Sequence, residues 1–475
     1  MQPISRRTFA ALASLRGWNC AGLQTPPRRT VCRIDFDRRL RPWDGFGVNY
    51  VEAAQSPDYD EWPQDYGGFS ILDARRRESV LDAIFGPQGL RPGVVKMFLD
   101  PLHQEKPGGP FQHERTTRQM RGFVREGLRR TRDGGGDFEI ATTAYGAPAW
   151  TNRLGLLKAR NVDPDRLPDL AAYMVDWVRY LREEERFPVT ALSLHNEGEK
   201  DHWQGRPEPL ALRHDYLTYW PPRQIAAMLP LVRRQLDAQG LSAVRATPGE
   251  SRNWNECIPI CNAILEDAEA TRAMGLLTSH GFGEHFTAVA ATRMRSRIPG
   301  LRAWTLSFSW RNMDAAFVHQ IVRKLYANEV NSMTPWAVIQ RPTQWHGGDG
   351  NLGSAFHVGE DGSVKTTMGY YFYKQATTAG IRGCTVVDAS SNDPSIAVLA
   401  FAKDGTTPHR AVLVVNAGEA PREVHLELAG LDSGELAHWR TSPGERFVDA
   451  GRVRYRGGLD YTCPPGSVTT WRVLT

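Results

Sequence analysis

Residues 189–199 read VTALSLHNEGE, an apolar run followed at once by polar side chains. The run from Val189 to Leu192 predicts a buried strand, and Asn196 and Glu197 stand where that strand ends. An amide beside a carboxylate at a strand end suits acid/base work on a sugar. Glycosidases normally use two carboxylates that flank the scissile bond, so Glu197 raises the question of where a second acid lies.

This strand is one of a series. Between Asp44 and Ala337 short apolar runs alternate with amphipathic stretches, which is typical of βα units around a parallel sheet. The predicted strands are Phe46–Val51, Val94–Leu99, Glu139–Tyr145, Thr190–Glu197, Arg245–Glu250, Leu276–Phe282, Arg302–Ser309 and Asn331–Val338. Eight strands close a (β/α)8 barrel, so the predicted fold class is α/β with a TIM barrel.

A second, smaller domain is predicted after the barrel, because 475 residues exceed what one core usually supports. Beyond Gly380 the runs IAVLAF, RAVLVVNA and EVHLEL alternate in the manner of an antiparallel β-sandwich. The alternating segment Val31–Phe36 is expected to add a strand to it. The predicted division is 1–30 a tail or export signal, 31–43 a sandwich strand, 44–378 the barrel and 379–475 the sandwich.

Composition excludes several classes of partner. The net charge of +5 is small for this length and no basic block stands out, which argues against nucleic acid. No apolar run is long enough to span a bilayer. The six cysteines are scattered and have no matching zinc-ligand set, and no phosphate loop or nucleotide fingerprint is present, so no cofactor is predicted. The 14 Trp and 14 Tyr residues favour a carbohydrate partner, since aromatic rings stack on sugars.

The first residues permit two interpretations. Ser5 to Phe9 read SRRTF and precede an apolar stretch, as in a twin-arginine export signal, which predicts a periplasmic or secreted protein. Arg16 interrupts that stretch early, so a disordered tail on a cytoplasmic protein is the alternative.

The ends of the predicted strands bring chemistry-bearing side chains together, because barrel chemistry occurs at the carboxyl ends of the strands. Carboxylate, amide, imidazole and indole groups at one mouth are typical of a sugar pocket. The residues at these ends are Gly45, Phe46, Gly47, Asn49, Asp100, Tyr145, Trp150, Asn196, Glu197, Glu250, His280, Ser307 and Trp336.

The order of these motifs resembles the clan A glycoside hydrolases, and family 30 in particular, over about residues 35–475. The matching stretches are GFG in the first strand, APAW after the third, LHNE at the fourth, SHGF at the sixth, a Trp on the eighth and GYYFYKQ before the sandwich. The resemblance implies that Glu197 is the general acid/base, that Asn196 binds the sugar 2-hydroxyl and that Trp336 floors the sugar site. It also implies hydrolysis of a β-linked glycoside.

One residue departs from that pattern. The family places its nucleophilic Glu at the end of strand seven in a segment like W-T-x-E, whereas this chain has Trp304-Thr305-Leu306-Ser307. A serine without an adjacent base is a poor nucleophile toward an acetal carbon and cannot stabilise an oxocarbenium ion as a carboxylate does. Ser307 therefore stands at a vacated nucleophile position.

Three functions stay open on the sequence alone. The chain is a glycoside hydrolase, a carbohydrate-binding protein that has lost hydrolysis, or an inverting hydrolase in which Glu250 or Glu284 activates water. A carboxyl separation of about 5–5.5 Å would indicate retention and roughly 6.5–9.5 Å inversion. His280 is a candidate ligand for substrate or for the strand-seven residue. Tyr145 and the loop tryptophans are candidate sugar-binding residues, with one or two of the latter expected only to pack: Trp150, Trp203, Trp254, Trp310 and Trp345.

Overall fold

A computed structural model describes residues 29–51, 67–155, 162–199, 219–341 and 353–474. The twin-arginine segment, Cys20, Trp203 and Trp345 lie outside these ranges. The predictions made for them therefore remain predictions.

A parallel barrel forms the larger part of the fold, as the sequence predicts. Its strands are Gly45–Asn49, Val94–Leu99, Glu139–Ala144, Val189–Ser193, Arg245–Thr247 continued by Glu250–Ser251, Leu277–Ser279, Ala303–Ser309 and Ser332–Trp336. Each pairs in parallel with its neighbour, and the eighth pairs with the first. The fifth strand is interrupted at Pro248 and Gly249, where Gly249 has φ +109°. A parallel bridge between Asn196 and Glu250 joins the fourth strand to the second half of the fifth.

The barrel interior changes from apolar to polar along its axis. An apolar cluster inside the barrel consists of Val94, Ala141, Ala191, Leu276, Trp304 and Leu306. Because side chains alternate along a strand, Lys96 and Phe98 lie on the same face of the second strand as Val94. Lys96 is the one charged side chain of that fully buried strand, VVKMFL. The polar residues above the apolar cluster are the candidates for chemistry.

Helices surround the barrel, and two of them begin where the sequence predicts. The side chain of Asp314 accepts a hydrogen bond from the Phe317 backbone N–H at 2.9 Å, and Pro222 lies in the first turn of its helix. The helices are Ala74–Phe85, His113–Thr116, Arg118–Asp133, Leu167–Glu183, Pro222–Ala238, Cys257–Leu265, Ala268–Ala273, Val289–Arg295, Ala315–Ala327 and Met368–Ala379. Short 3-10 helices span Ala149–Thr151 and Pro164–Arg166. A small sheet is formed by Ile339–Gln340, Phe356–Val358 and Val364–Thr366.

The second β-structure is a nine-stranded, mostly antiparallel sheet that curls over its own core. Its strands are Thr30–Pro42, Thr385–Ser391, Ile396–Lys403, His409–Asn416, Arg422–Ala429, Ser433–Ser442, Glu445–Arg456, Gly458–Cys463 and Ser467–Leu474. The early strand joins it as predicted, antiparallel to Thr385–Ser391 and parallel to Arg422–Ala429. The sheet is therefore built from both ends of the chain.

The helix Met368–Ala379 connects the barrel to the curled sheet. The Tyr373 hydroxyl donates to the Gly47 carbonyl at 2.7 Å, which fixes the helix against the first barrel strand. On the sheet side, Gln375 Nε2 donates to Thr441 Oγ1 at 2.9 Å. The helix thus packs against both the barrel and the curled sheet. The domain boundary at residue 378 stays a prediction.

The described cysteines are buried free thiols: Cys32, Cys257, Cys261, Cys384 and Cys463. Burial raises the pKa of Cys257 to about 12, so this thiol stays protonated at neutral pH. Within the described ranges no group of three or more His, Cys, Asp and Glu is arranged to hold a metal ion, and no helix is long and apolar enough to cross a membrane.

Candidate active site

Glu197 lies at the carboxyl end of the fourth strand, next to the end of the fifth. Its backbone N–H donates to the Glu250 carbonyl at 2.9 Å, and its φ of +48° turns the chain sharply. A positive φ is uncommon for a residue other than glycine, and such strain concentrates at functional sites. The Glu197 side chain keeps 13% of its surface exposed, so the carboxylate is within reach of a ligand.

Ser307 faces the barrel interior because the seventh strand carries a bulge. Pairing with the eighth strand shifts between Leu306 and Phe308, which leaves Ser307 as the extra residue, and its φ is +62°. Leu306 already belongs to the interior cluster, and a regular strand would turn the next side chain outward. The bulge therefore redirects Ser307 inward, as bulges beside active sites commonly do.

The Ser307 hydroxyl is held by two donors. Lys96 Nζ donates to its Oγ at 2.7 Å and Asn49 Nδ2 donates at 3.2 Å. An oxygen that accepts two hydrogen bonds has its own hydrogen left to donate elsewhere. Ser307 is only 3% exposed, so this site is a small, largely enclosed position and not an open surface.

Glu250 is fully buried beneath the mouth and is paired with Lys96, which is equally buried. Thr143 Oγ1 donates to the other carboxylate oxygen at 2.5 Å. Burial alone would raise the pKa of Glu250, but the Lys96 ammonium and a hydrogen bond from His280 outweigh it and bring the pKa to about 2. Glu250 is thus a permanently ionised part of the interior and is inaccessible to a water molecule that it would have to activate.

His280 bridges the two carboxylates. Its Nδ1 lies 3.1 Å from Glu197 Oε1 and its Nε2 lies 3.1 Å from Glu250 Oε2. Burial opposes the charged imidazole, but the hydrogen bonds to both carboxylates prevail and raise the pKa of His280. In its protonated form the ring donates to both acids. Arg252 Nε lies 3.5 Å from the other oxygen of Glu197, so that carboxylate is positioned from two sides.

Lys96→Met is expected to destabilise the fold by about 3–5 kcal/mol, because it leaves the buried Glu250 carboxylate without its cation. Lys96→Met combined with Glu250→Gln should be less destabilised than Lys96→Met alone, since no buried charge then lacks a partner. Urea unfolding of the wild type, both single variants and the double variant measures this coupling. Simple addition of the two single losses would contradict an energetically coupled pair.

A second acidic pair flanks the loop that carries Glu197. Glu199 Oε1 accepts a hydrogen bond from the Arg252 backbone N–H at 2.7 Å. Burial, together with the neighbouring Glu256 carboxyl, raises the pKa of Glu199 to about 8. Two neighbouring carboxyl groups avoid mutual repulsion only while one of them is neutral.

The contribution of Glu199 to the stability of the fold is expected to fall as the pH rises from about 4.5 to about 8. Folded Glu199 keeps its proton over this range and unfolded Glu199 loses it near 4.5, so the folded state binds more protons. Thermal unfolding across the range, with wild type and Glu199→Gln, measures the effect. The variant should lack this contribution, whereas His280, which acts in the same direction, and His103, His113 and His195, which act in the opposite direction, titrate in both proteins. Identical pH dependence of the two proteins would contradict a raised pKa at Glu199.

An aromatic group lines the mouth on the other side. The rings of Trp336 and Tyr145 are nearly parallel, 7° apart with centroids at 6.3 Å, and Phe98 meets Trp336 edge-on at 5.4 Å. Trp336 keeps 7% of its surface exposed and Tyr145 only 1%. Tyr145 therefore supports the Trp336 ring, and a direct contact between Tyr145 and a sugar requires movement of its neighbours.

The remaining candidates are placed elsewhere. Trp150 Nε1 donates to the Gln104 carbonyl at 2.9 Å and its ring meets Tyr173 edge-on. Trp254 and Trp310 are fully buried and pack in the core, in line with the expectation that one or two of the loop tryptophans only pack. Glu284 is exposed on the loop after strand six, where its charge acts on Lys324.

Sequence reasoning missed three residues of this network: Lys96, Thr143 and Arg252. Lys96 could have been identified from the sequence, because a lysine inside a buried apolar strand has to be paired. Thr143 and Arg252 could not, since Thr is common in strands and Arg252 lies in a loop beyond the fifth strand.

No family model matches this sequence, and no curated protein matches it. The fold, however, matches solved glycoside hydrolases. A family 30 endoxylanase from Clostridium papyrosolvens is 15% identical with a TM-score of 0.66, covering 94% of this chain and all of that one. The catalytic domain of a family 30 xylanase from Talaromyces cellulolyticus is 13% identical with a TM-score of 0.69, over 94% and 100%. An endo-β-1,6-glucanase is 15% identical with a TM-score of 0.68, over 94% of each.

These similarities define a class of fold: a TIM barrel joined to a β-rich second domain, as in clan A glycoside hydrolases. The resemblance to family 30 that the sequence motifs indicated is confirmed at this level. At identities of 13–15% the similarity concerns the fold alone, and the chemistry has to be argued from the residues of this chain.

Proposed function

We propose that this chain is a glycoside hydrolase acting on a β-linked glycoside, with Glu197 as the general acid/base. The observation that carries the proposal is the position of Glu197 at the carboxyl mouth of the barrel, partly exposed and held by His280 and Arg252. Among the proteins of similar fold, one is named for action on a β-1,6-linked glucan. Asn196, beside Glu197, is the proposed ligand of the sugar 2-substituent, and Trp336 is the proposed stacking platform.

Carbohydrate binding without hydrolysis is the second candidate, and one observation favours it. The strand-seven position holds Ser307 next to the Lys96 ammonium, where a retaining enzyme of this clan needs a carboxylate. The hypothesis that Glu250 activates water in an inverting mechanism loses its support, because that carboxylate is fully buried and bound to Lys96, Thr143 and His280. Of the two acids considered for this role, Glu284 remains the candidate.

Activity screening of the purified chain on aryl β-glycosides and on β-linked polysaccharides tests the proposal. Turnover well above the uncatalysed rate, lost in Glu197→Gln, is the expected result. Sugar binding in calorimetry without turnover of any substrate would favour the binding function. Loss of turnover in Glu284→Gln would instead favour inversion through that residue.

We further propose that the protein is exported through its twin-arginine-like segment, Ser5 to Phe9. The support is the Arg6-Arg7 pair followed by an apolar stretch. Fused to a folded reporter, residues 1–30 should direct it across a bacterial inner membrane, and replacing both arginines by lysine should stop it. A reporter retained in the cytoplasm with the intact segment would overturn export.

A further inference from the structure

Among the described carboxylates at the strand ends, Glu197 is the one that is partly exposed, whereas Asp100 at the end of the second strand is buried. Glu250 is fully buried and ion-paired, and Glu284 is exposed on a loop where its charge acts on Lys324. The end of the seventh strand supplies none, because residues 303–313 contain no acid. If the chain hydrolyses glycosides by the retaining route, its described residues do not contribute the nucleophile.

Ser307 cannot act as the nucleophile. Lys96 donates a hydrogen bond to its oxygen at 2.7 Å and is ion-paired with Glu250, so it acts as a donor to the serine oxygen and not as its base. The serine oxygen is also two bonds closer to the backbone than a glutamate carboxylate oxygen would be. Among the described residues, none therefore supplies a nucleophile to that face of the sugar, and a group carried by the ligand can take this role.

A 2-acetamido substituent is such a group. In a β-linked 2-acetamido-2-deoxy sugar, its carbonyl oxygen can reach the anomeric carbon from the face opposite the leaving oxygen. Attack within one molecule needs no second reactant to be brought into position, which is worth a large effective concentration. A 2-hydroxyl sugar has no equivalent nucleophile, and substrate-assisted hydrolases are known to use this route.

Asn196 offers the matching acceptor. Its Oδ1 is buried beside Glu197 and has no hydrogen-bond partner among the described residues. A buried acceptor without a partner is costly, so a ligand donor is expected to fill it. The acetamido N–H gains positive character as its carbonyl oxygen bonds to the anomeric carbon, and this hydrogen bond would strengthen in the transition state.

We propose that the substrates are β-linked 2-acetamido-2-deoxy glycosides and that the substrate's own acetamido group replaces the missing nucleophile. The carbonyl oxygen forms a bond to C1 as the glycosidic C–O bond breaks, and Glu197 gives its proton to the leaving oxygen. Water then attacks C1 of the cyclic oxazolinium and Glu197 takes a proton from it, while the bond between C1 and the acetamido oxygen breaks and the acetamido group is regenerated. The net change is hydrolysis with retention and needs no other reactant. This inference rests on the proposed hydrolase function.

The test compares matched 4-nitrophenyl β-glycosides with the full chain: the 2-acetamido-2-deoxyglucoside, its 2-trifluoroacetamido analogue, the glucoside and the xyloside. Turnover should be confined to the acetamido sugar and be more than about tenfold slower with the analogue, whose carbonyl oxygen is less nucleophilic. A thiazoline that mimics the cyclic intermediate should inhibit competitively. Asn196→Ala should lower turnover, whereas Asn196→Asp should retain it, because its carboxylate also accepts the N–H.

The outcomes separate this inference from the function on which it rests. Hydrolysis of the glucoside or xyloside at rates equal to the acetamido sugar would overturn the inference and leave the hydrolase function standing. Insensitivity to fluorine substitution would overturn the inference in the same way. Binding of these sugars with no turnover of any would overturn both.

Discussion

Glu197→Gln is expected to reduce turnover of β-glycosides with poor leaving groups by about 100- to 10,000-fold, because those groups must be protonated as the bond breaks. Activated aryl glycosides should lose less, since their leaving oxygen departs without a proton. The measurement is kcat/KM for a series of aryl glycosides of one sugar, plotted against the pKa of the leaving phenol. A steeper dependence in the variant than in the wild type is the expected signature of a lost acid.

A structural role for Glu197 would give another pattern. Its backbone adopts φ +48° and its carboxylate receives His280 and Arg252, so a misfolded mouth would depress turnover of all substrates alike. Equal loss across the series would therefore contradict proton donation. Glu284→Gln is the matched control, because it removes an exposed carboxylate from a neighbouring loop and should leave the series unchanged under this proposal.

The strands of the barrel could be predicted because each is a short apolar run between amphipathic stretches, a pattern that buried parallel strands impose on sequence. Position along the chain then placed Glu197, Glu250, His280 and Ser307 at one mouth. Their contacts agree with that placement, since His280 joins the two glutamates and Lys96 joins Glu250 to Ser307.

The sequence could not predict how deeply each of these side chains is buried. Glu250 and Glu197 both stand at strand ends, yet one is fully buried and the other is partly exposed, because the break at Pro248 and Gly249 sets how far the fifth strand extends. The bulge at Ser307 could not be predicted either, since a bulge depends on the pairing of two strands and leaves no fixed residue pattern. The ion pair between Lys96 and Glu250 could not be predicted because these two residues, far apart in the chain, meet only when the barrel closes.

Ser307→Glu is expected to create hydrolysis of plain β-glycosides, at least about 100-fold above the wild-type rate, by restoring a retaining pair with Glu197. The bulge already turns position 307 into the mouth, and Glu197 tolerates a similar positive φ, so the backbone needs no change. Lys96 lies within reach of the new carboxylate and would hold it ionised. The readout is release of nitrophenol from a β-glucoside, with the product anomer identified by NMR.

Azide provides the complementary experiment in the wild-type chain. With an activated β-glycoside, millimolar azide should attack C1 from the side of Ser307 and give an α-glycosyl azide. The same trap should fail in Ser307→Glu, where the new side chain occupies that side. If the wild type hydrolyses plain glycosides without azide and Ser307→Glu reduces that activity, position 307 is not a vacated nucleophile, and another carboxylate performs the attack. The Lys96–Ser307–Asn49 contacts would then only stabilise the bulge.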